Sequence, residues 1–303
     1  SFAILLIFCI FCSILSGCGS SSKSSSSEPP VYSPLRVLVP EAPGSDTLGS
    51  SPLTLDVSNI TQGYFAAQSD SADLVTSLQI TAPTGVLYSY FIEPGENAVI
   101  PFTEGDGDYT VVGYQQIQGD QYAALYSETL TVELENEFLP FLYPNQYVNF
   151  SPDSEASKLA LSMVSENTSD IDALKQIYNY VVNNLSYDYD KAETVETGYL
   201  PDVDETLSTK TGICFDYAAL TTAMLRSCDI PCKLQIGYTG DIKHAWIDVY
   251  IRSKGWVTNA VSFNGDSWSL MDPTFDSSAD SDDSEAIQDY IGNADNYTVQ
   301  FTR

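Results

Sequence analysis

The apolar pattern of this 303-residue chain changes period near residue 151, and that change narrows the folds open to it. From Leu35 to about Glu135 the pattern is strand-like, with alternation in Leu53-Thr-Leu-Asp-Val57 and in parts of Leu74–Thr81, Val86–Ile92, Tyr109–Tyr114 and Tyr122–Leu134. Alternation puts every second side chain on one face of a strand. Between these runs stand Pro83-Thr84-Gly85, Pro94-Gly95 and Gly105-Asp106-Gly107-Asp108, all with turn chemistry. Roughly seven short strands at regular spacing predict an all-β sandwich of immunoglobulin-like size over residues 35–137. Its aromatics (Tyr64, Phe65, Tyr88, Tyr90, Tyr109, Tyr114 and Tyr122) are read as sandwich core or cross-strand pairs rather than a ligand surface. The acidic turn at 105–108 is read as a turn, not a calcium site.

Phe138–Phe150 is too apolar for a loose linker and is expected to pack along the domain junction. Helical spacing follows. Ser151-Pro152-Asp153 opens a first helix, and Ser169-Asp170 caps a second with Ile171, Leu174, Ile177, Tyr178 and Val181 on one face. After Tyr187-Asp-Tyr189 comes a polar connection to Ser208, then a third helix begun by Cys214. Strands are expected at Lys233–Tyr238, His244–Arg252, Gly255–Asn259 and Ser267–Met271. Helices followed by antiparallel strands give an α+β domain over 138–303. The acidic run within 276–289 is read as a solvated loop, and Ile287–Phe301 as a returning apolar segment.

The N-terminus carries a different signal. Phe2–Leu15 is almost wholly apolar but short for a membrane span, which fits the core of a secretory signal. The usual positive start is missing and the chain opens on Ser1, so its first few residues are expected to be lacking. Leu15-Ser16-Gly17-Cys18 resembles a bacterial lipoprotein signal, with residues 1–17 removed and Cys18 lipidated. Residues 18–34 then read as a Ser/Pro-rich tether, since seven serines fall between Gly19 and Glu28. The expected location is the outer face of the bacterial cytoplasmic membrane, held through the lipid on Cys18.

Charge excludes one class of partner. With 41 acids against 12 bases the net charge is −29, and such a surface repels nucleic acid. After processing, Cys214, Cys228 and Cys232 remain in the folded part, an odd number that leaves at least one thiol free or paired with another chain. Cys228 and Cys232 flank Asp-Ile-Pro and are read as small buried residues, although a bridge between them stays open.

Cys214 stands on the first turn of its helix, where unpaired N–H groups and the helix dipole favour a thiolate. The chain holds one histidine, His244, so an imidazole base for Cys214 has to be that residue. Asp272, in Leu-Met-Asp-Pro-Thr, ends the next long strand and is a candidate to orient the imidazole, with the two strands as antiparallel neighbours. The backbone N–H of Cys214 is one expected oxyanion donor, with Tyr187 or Tyr189 as the second. Trp246 is a candidate wall of the acyl site. Asp216, two residues past the cysteine, is assigned a structural role.

In order, Gly212-Ile-Cys214-Phe-Asp216-Tyr-Ala218, Met224-Leu-Arg226, Ile230-Pro231, Gly237-Tyr238, His244-Ala-Trp246, Gly255-Trp256 and Asp272-Pro-Thr274 resemble the transglutaminase-like superfamily over about 170–275. The whole arrangement also resembles surface lipoproteins of Gram-positive bacteria. The resemblance implies a papain-like fold and a Cys214–His244–Asp272 triad. It departs at Asp229, where the family often has glycine; Asp tolerates the left-handed conformation such a helix end uses. The implied activity is attack on a peptide or carboxamide bond through a thioester, needing no metal and no cofactor. A hydrolase acting on protein or cell-wall peptide is favoured slightly over an amine cross-linker, and both over a non-catalytic binding module.

Overall fold

The computed structural model describes residues 36–71, 74–95, 97–263, 268–270 and 297–303. Cys18, the tether, Asp272 and the acidic run within 276–289 lie outside the described residues. No helix among the described residues is long and apolar enough to cross a membrane.

Eight strands come first: β1 (Thr47–Ser50), β2 (Leu53–Asp56), β3 (Tyr64–Ser69), β4 (Thr76–Thr81), β5 (Leu87–Ile92), β6 (Asn97–Pro101), β7 (Gly107–Gln118) and β8 (Gln121–Val132). They make two antiparallel sheets, ordered β1-β2-β3-β6 and β5-β4-β7-β8. Leu53 and Leu55 of β2 and Phe65 and Ala67 of β3 join Leu78, Ile80, Tyr88, Tyr90, Tyr109, Val111, Leu130 and Val132 of the other sheet in one buried cluster. Alternation is clean on β5, where every second residue is buried. On β3 nearly every residue is buried, because its outer face is also covered, as where Tyr64 lies 4.7 Å from Tyr143. That double burial removes the period-2 signal a sequence reader needs. Of the aromatics expected in the core, Tyr122 instead faces solvent.

Residues 138–150 touch both halves of the chain. Tyr147 packs on Tyr90, while Phe138 and Phe141 pack on Trp256. Phe141, Leu142, Val148 and Phe150 are buried.

The second half contains α1 (Glu155–Met163), α2 (Asp170–Asn184), β9 (Ser186–Tyr187), α3 (Tyr189–Thr194), α4 (Val203–Thr209), β10 (Thr211–Gly212) and α5 (Cys214–Ser227). Then come β11 (Cys232–Thr239), β12 (Ile242–Ile251), β13 (Gly255–Phe263), β14 (Trp268–Leu270) and β15 (Tyr297–Thr302), in sheet order β14-β13-β12-β11-β15. Ser169 caps α2 by accepting the Asp172 N–H at 3.1 Å. The short helices α3 and α4 fall in the stretch read as a polar connection. Their sequence signal is an aspartate cap: Asp188 accepts the Lys191 N–H, and Asp202 those of Asp204 and Glu205.

Helix α5 is the axis of this half and is buried from Asp216 to Ser227. Ala219, Leu220, Ala223, Met224 and Leu225 cluster with Leu174, Ile177 and Val181 of α2 and with Ala245, Ile247, Val249 and Ile251 of β12. Truncating one such leucine to alanine costs about 2–5 kcal/mol. The helix stops at Asp229, whose φ of 60° is the left-handed conformation expected there. Cys228 and Cys232 are both buried free thiols.

Two arginines join the halves. Arg226 is fully buried and donates to the carbonyls of Cys232, Tyr143 and Arg303. Burial pulls it down to about 10, so it remains a cation at neutral pH. Arg303 follows β15 and sends its guanidinium among Tyr88, Tyr90 and Tyr147, with its carbon 4.6, 4.7 and 4.1 Å from their ring centres.

Candidate active site

Cys214 is the first residue of α5 and is partly exposed. The preceding Ile213 is extended and offers no side-chain cap. Asp216 takes that role from inside the helix: its Oδ2 accepts the Ile213 N–H at 2.8 Å. The carboxylate is wholly buried and also accepts from Lys191 Nζ at 2.8 Å and from the Tyr199 hydroxyl. The structural role expected for Asp216 is therefore seen in detail. Gly212 is required beside it, since a Cβ there would lie 2.7 Å from the Asp216 Cβ.

The β9–β10 bridge, with Gly212 opposite Tyr187, sets the tyrosine beside Cys214. The Tyr187 hydroxyl oxygen is within hydrogen-bonding reach of the Cys214 backbone N–H, and burial pushes its pKa up to about 12. It is therefore a protonated donor at neutral pH. Tyr189 packs edge-on against Tyr187 with 5.0 Å between ring centres, yet is 58% exposed and lies farther out.

On the other side stands β12. Its backbone N–H at Ala245 is within hydrogen-bonding reach of the Cys214 sulfur, as are those of Phe215 and Cys214 itself. Ala245 directly follows His244, so helix and strand meet where the sequence expects the catalytic pair. His244 is buried, opposite Gly237 of β11, and its ring lies nearly parallel to that of Trp246 at 6.2 Å. Burial lowers its pKa to about 4. Burial also pushes the Cys214 thiol up, and this outweighs the three backbone N–H groups. The depressed thiol expected from helix geometry is thus reversed: both partners are held neutral at rest.

Two further expectations need correction. Trp246 is only 1% exposed and packs on Tyr297, so it supports the histidine strand and presents no wall to a substrate. The strands carrying His244 and leading to Asp272 are not neighbours. Register runs Ile247–Val261–Leu270, with β13 between β12 and β14. The strand expected at Gly255–Asn259 continues to Phe263 as β13 and occupies the adjacent place. Asp272 itself lies outside the described residues. Among those described, no group of three or more His, Cys, Asp and Glu could hold a metal ion.

Comparison with known proteins finds a family likeness over part of the chain. The pattern of the transglutaminase-like superfamily matches residues 157–273, a span containing Cys214, His244 and Asp272. The chain carries a transglutaminase-like domain. A UPF0252 protein of Methanocaldococcus jannaschii is 40% identical over 62 residues, covering 19% of this chain and 18% of its own length. The uncharacterized protein YebA of Bacillus subtilis is 24% identical over 183 residues, covering 53% of this chain and 25% of its own. The chain thus spans a quarter or less of these relatives. Among solved structures, a candidate cysteine protease of Cytophaga hutchinsonii overlaps 73% of this chain and 69% of its own at 18% identity and TM-score 0.35. Red sea bream transglutaminase overlaps 64% and 47% at 12% identity and TM-score 0.25. These overlaps are loose, and the likeness rests on the matched segment 157–273.

Proposed function

We propose that the transglutaminase-like domain is a cysteine hydrolase that cleaves peptide or carboxamide bonds in protein or cell-wall peptide. The observation that carries this reading is the Ala245 N–H at the Cys214 sulfur, which sets the thiol at a helix N-terminus against the residue following the only histidine.

In this reading the resting pair is neutral. As Cys214 Sγ attacks the carbonyl carbon, its proton passes to His244 and a C–S bond forms. The oxyanion is met by the Cys214 N–H and the Tyr187 hydroxyl. His244 returns the proton to the leaving nitrogen, the C–N bond breaks and a thioester remains. Water then attacks with His244 as base. The C–S bond breaks, giving a carboxylic acid and the free thiol. Asp272 is assigned the orientation of the imidazole by its place in the family pattern. The N-terminal part is assigned as a sandwich of immunoglobulin-like size, carried outside the cell on a tether lipidated at Cys18.

The test is incubation with casein and a fluorescent amine, comparing wild type with Cys214→Ala. Cleavage without amine incorporation, lost in the mutant, supports the hydrolase. Incorporation lost in the mutant shows a cross-linker instead, and saturable binding with neither reaction shows a binding module. Lipidation is tested by fatty-acid labelling, which Cys18→Ala is expected to abolish.

A further inference from the structure

The first turn of α5 is tied to α3 by a half-buried charge pair that the reaction above does not use. Asp216 has no solvent exposure, and its ion pair with Lys191 is 2.8 Å long. Lys191 Nζ also donates to the Tyr199 hydroxyl at 2.6 Å and sits 4.4 Å above that ring. The ends of this network reach the nucleophile from two sides. One end holds the Ile213 N–H, immediately before Cys214. The other runs through α3 to its cap Asp188, whose N–H donates to the Gly212 carbonyl at 2.9 Å, next to Tyr187.

We propose that Lys191, with Tyr199, is a positioning and charge-compensating residue for Cys214, acting through Asp216. The proposal rests on Cys214 being the nucleophile paired with His244. Its physical basis is that Asp216 lies two residues from a sulfur that becomes negative during the reaction. An unpaired carboxylate there opposes the thiolate, and Lys191 cancels that opposition while fixing the helix entry. The direction agrees with Asp216 acting to raise the Cys214 thiol. Among described residues, Tyr187 and Asp216 interact with Cys214 directly, Tyr189, Lys191, Tyr199 and Tyr217 interact in turn with that pair, and His244 precedes Ala245, whose N–H faces the sulfur.

The experiment follows alkylation of Cys214 by iodoacetamide from pH 5 to 10, read on its own peptide by mass spectrometry. Wild type is compared with Lys191→Met, Lys191→Met/Asp216→Asn, Tyr199→Phe and His244→Ala. Lys191→Met is expected to react about tenfold more slowly at pH 7.5, with its profile displaced to higher pH. The double variant, which removes both charges, is expected to recover to within about threefold of wild type. A merely structural role predicts no such recovery. If Lys191→Met superimposes on wild type while His244→Ala differs, the proposal is overturned and the catalytic reading stands. If His244→Ala superimposes on wild type, it is the pairing with His244 that fails. Should Lys191→Met not fold, the double variant and Tyr199→Phe carry the test. A double variant reacting like wild type, with Tyr199→Phe about threefold slower, supports the proposal, and Tyr199→Phe at the wild-type rate overturns it.

Discussion

The backbone N–H of Ala245 reaches the sulfur of Cys214, so the thiol is held one residue along β12 from His244. Because the strand contributes only backbone to this contact, the contact survives substitution of the His244 side chain. His244→Ala should leave Cys214 in place and remove only the base. At pH 7 we expect at least tenfold slower alkylation of Cys214 in His244→Ala than in wild type, measured by rapid quench. Equal rates mean the imidazole does not assist the thiol.

Burial depresses His244 from 6.5 to about 4, so the folded state binds fewer protons than the unfolded chain between those values. Its share of stability is complete above pH 6.5 and is lost as pH falls towards 4. The loss is about 3 kcal/mol. Urea unfolding of wild type and His244→Gln at pH 7 and pH 4 should therefore diverge by that amount. Parallel behaviour means the imidazole is not buried as the neutral form.

Cys228 and Cys232 are fully buried, and burial pushes both thiols up to about 12. Native protein at pH 8 should incorporate label at Cys214 and at neither of these, whose labelling begins only in denaturant. Peptide mapping reads the three sites separately. Early labelling of Cys232 would show that the α5–β11 packing opens readily.

Gly237 has no room for a side chain. A Cβ there would lie 2.0 Å from the Thr298 carbonyl oxygen and 3.0 Å from the Trp246 indole. Gly237→Ala should destabilise the protein by about 3 kcal/mol or more, because the obstacle on one side is backbone. Thermal unfolding checks this, and a change under 1 kcal/mol would show that β15 shifts freely on β11.

Much of the transglutaminase-like half was legible because its signals are local and chemical. Ser169, the Cys214 helix start and the left-handed Asp229 are each set by a residue's own backbone chemistry. The single histidine left one choice of base. Less legible were features decided by what packs on a residue. β3 lost its alternation to cover on both faces, and Trp246 looked like a site residue until the strand turned it into the interior. The thiol followed the same rule: helix geometry favours a thiolate, but desolvation won. The place of β13 between β12 and β14 was missed because the expected strand at Gly255–Asn259 was left out of the pairing, although consecutive antiparallel strands commonly pair. The Lys191–Asp216 pair joins residues 25 apart through a helix that the composition around it did not announce.

Arg303 sits among tyrosines that the chain supplies at positions 88, 90 and 147, and β15 completes the edge of the sheet at β11. A ribosome delivers those tyrosines long before residue 303. During synthesis the two N-terminal sheets therefore form with an open socket, and β11 waits with one edge unpaired. Contacts between residues 213 and 214 positions apart, such as Arg303 with Tyr90 and Thr302 with Tyr88, form only after the end of this sequence has emerged. Loop closure on that scale slows folding. The half bearing Cys214 thus becomes complete only once residues 297–303 have been made.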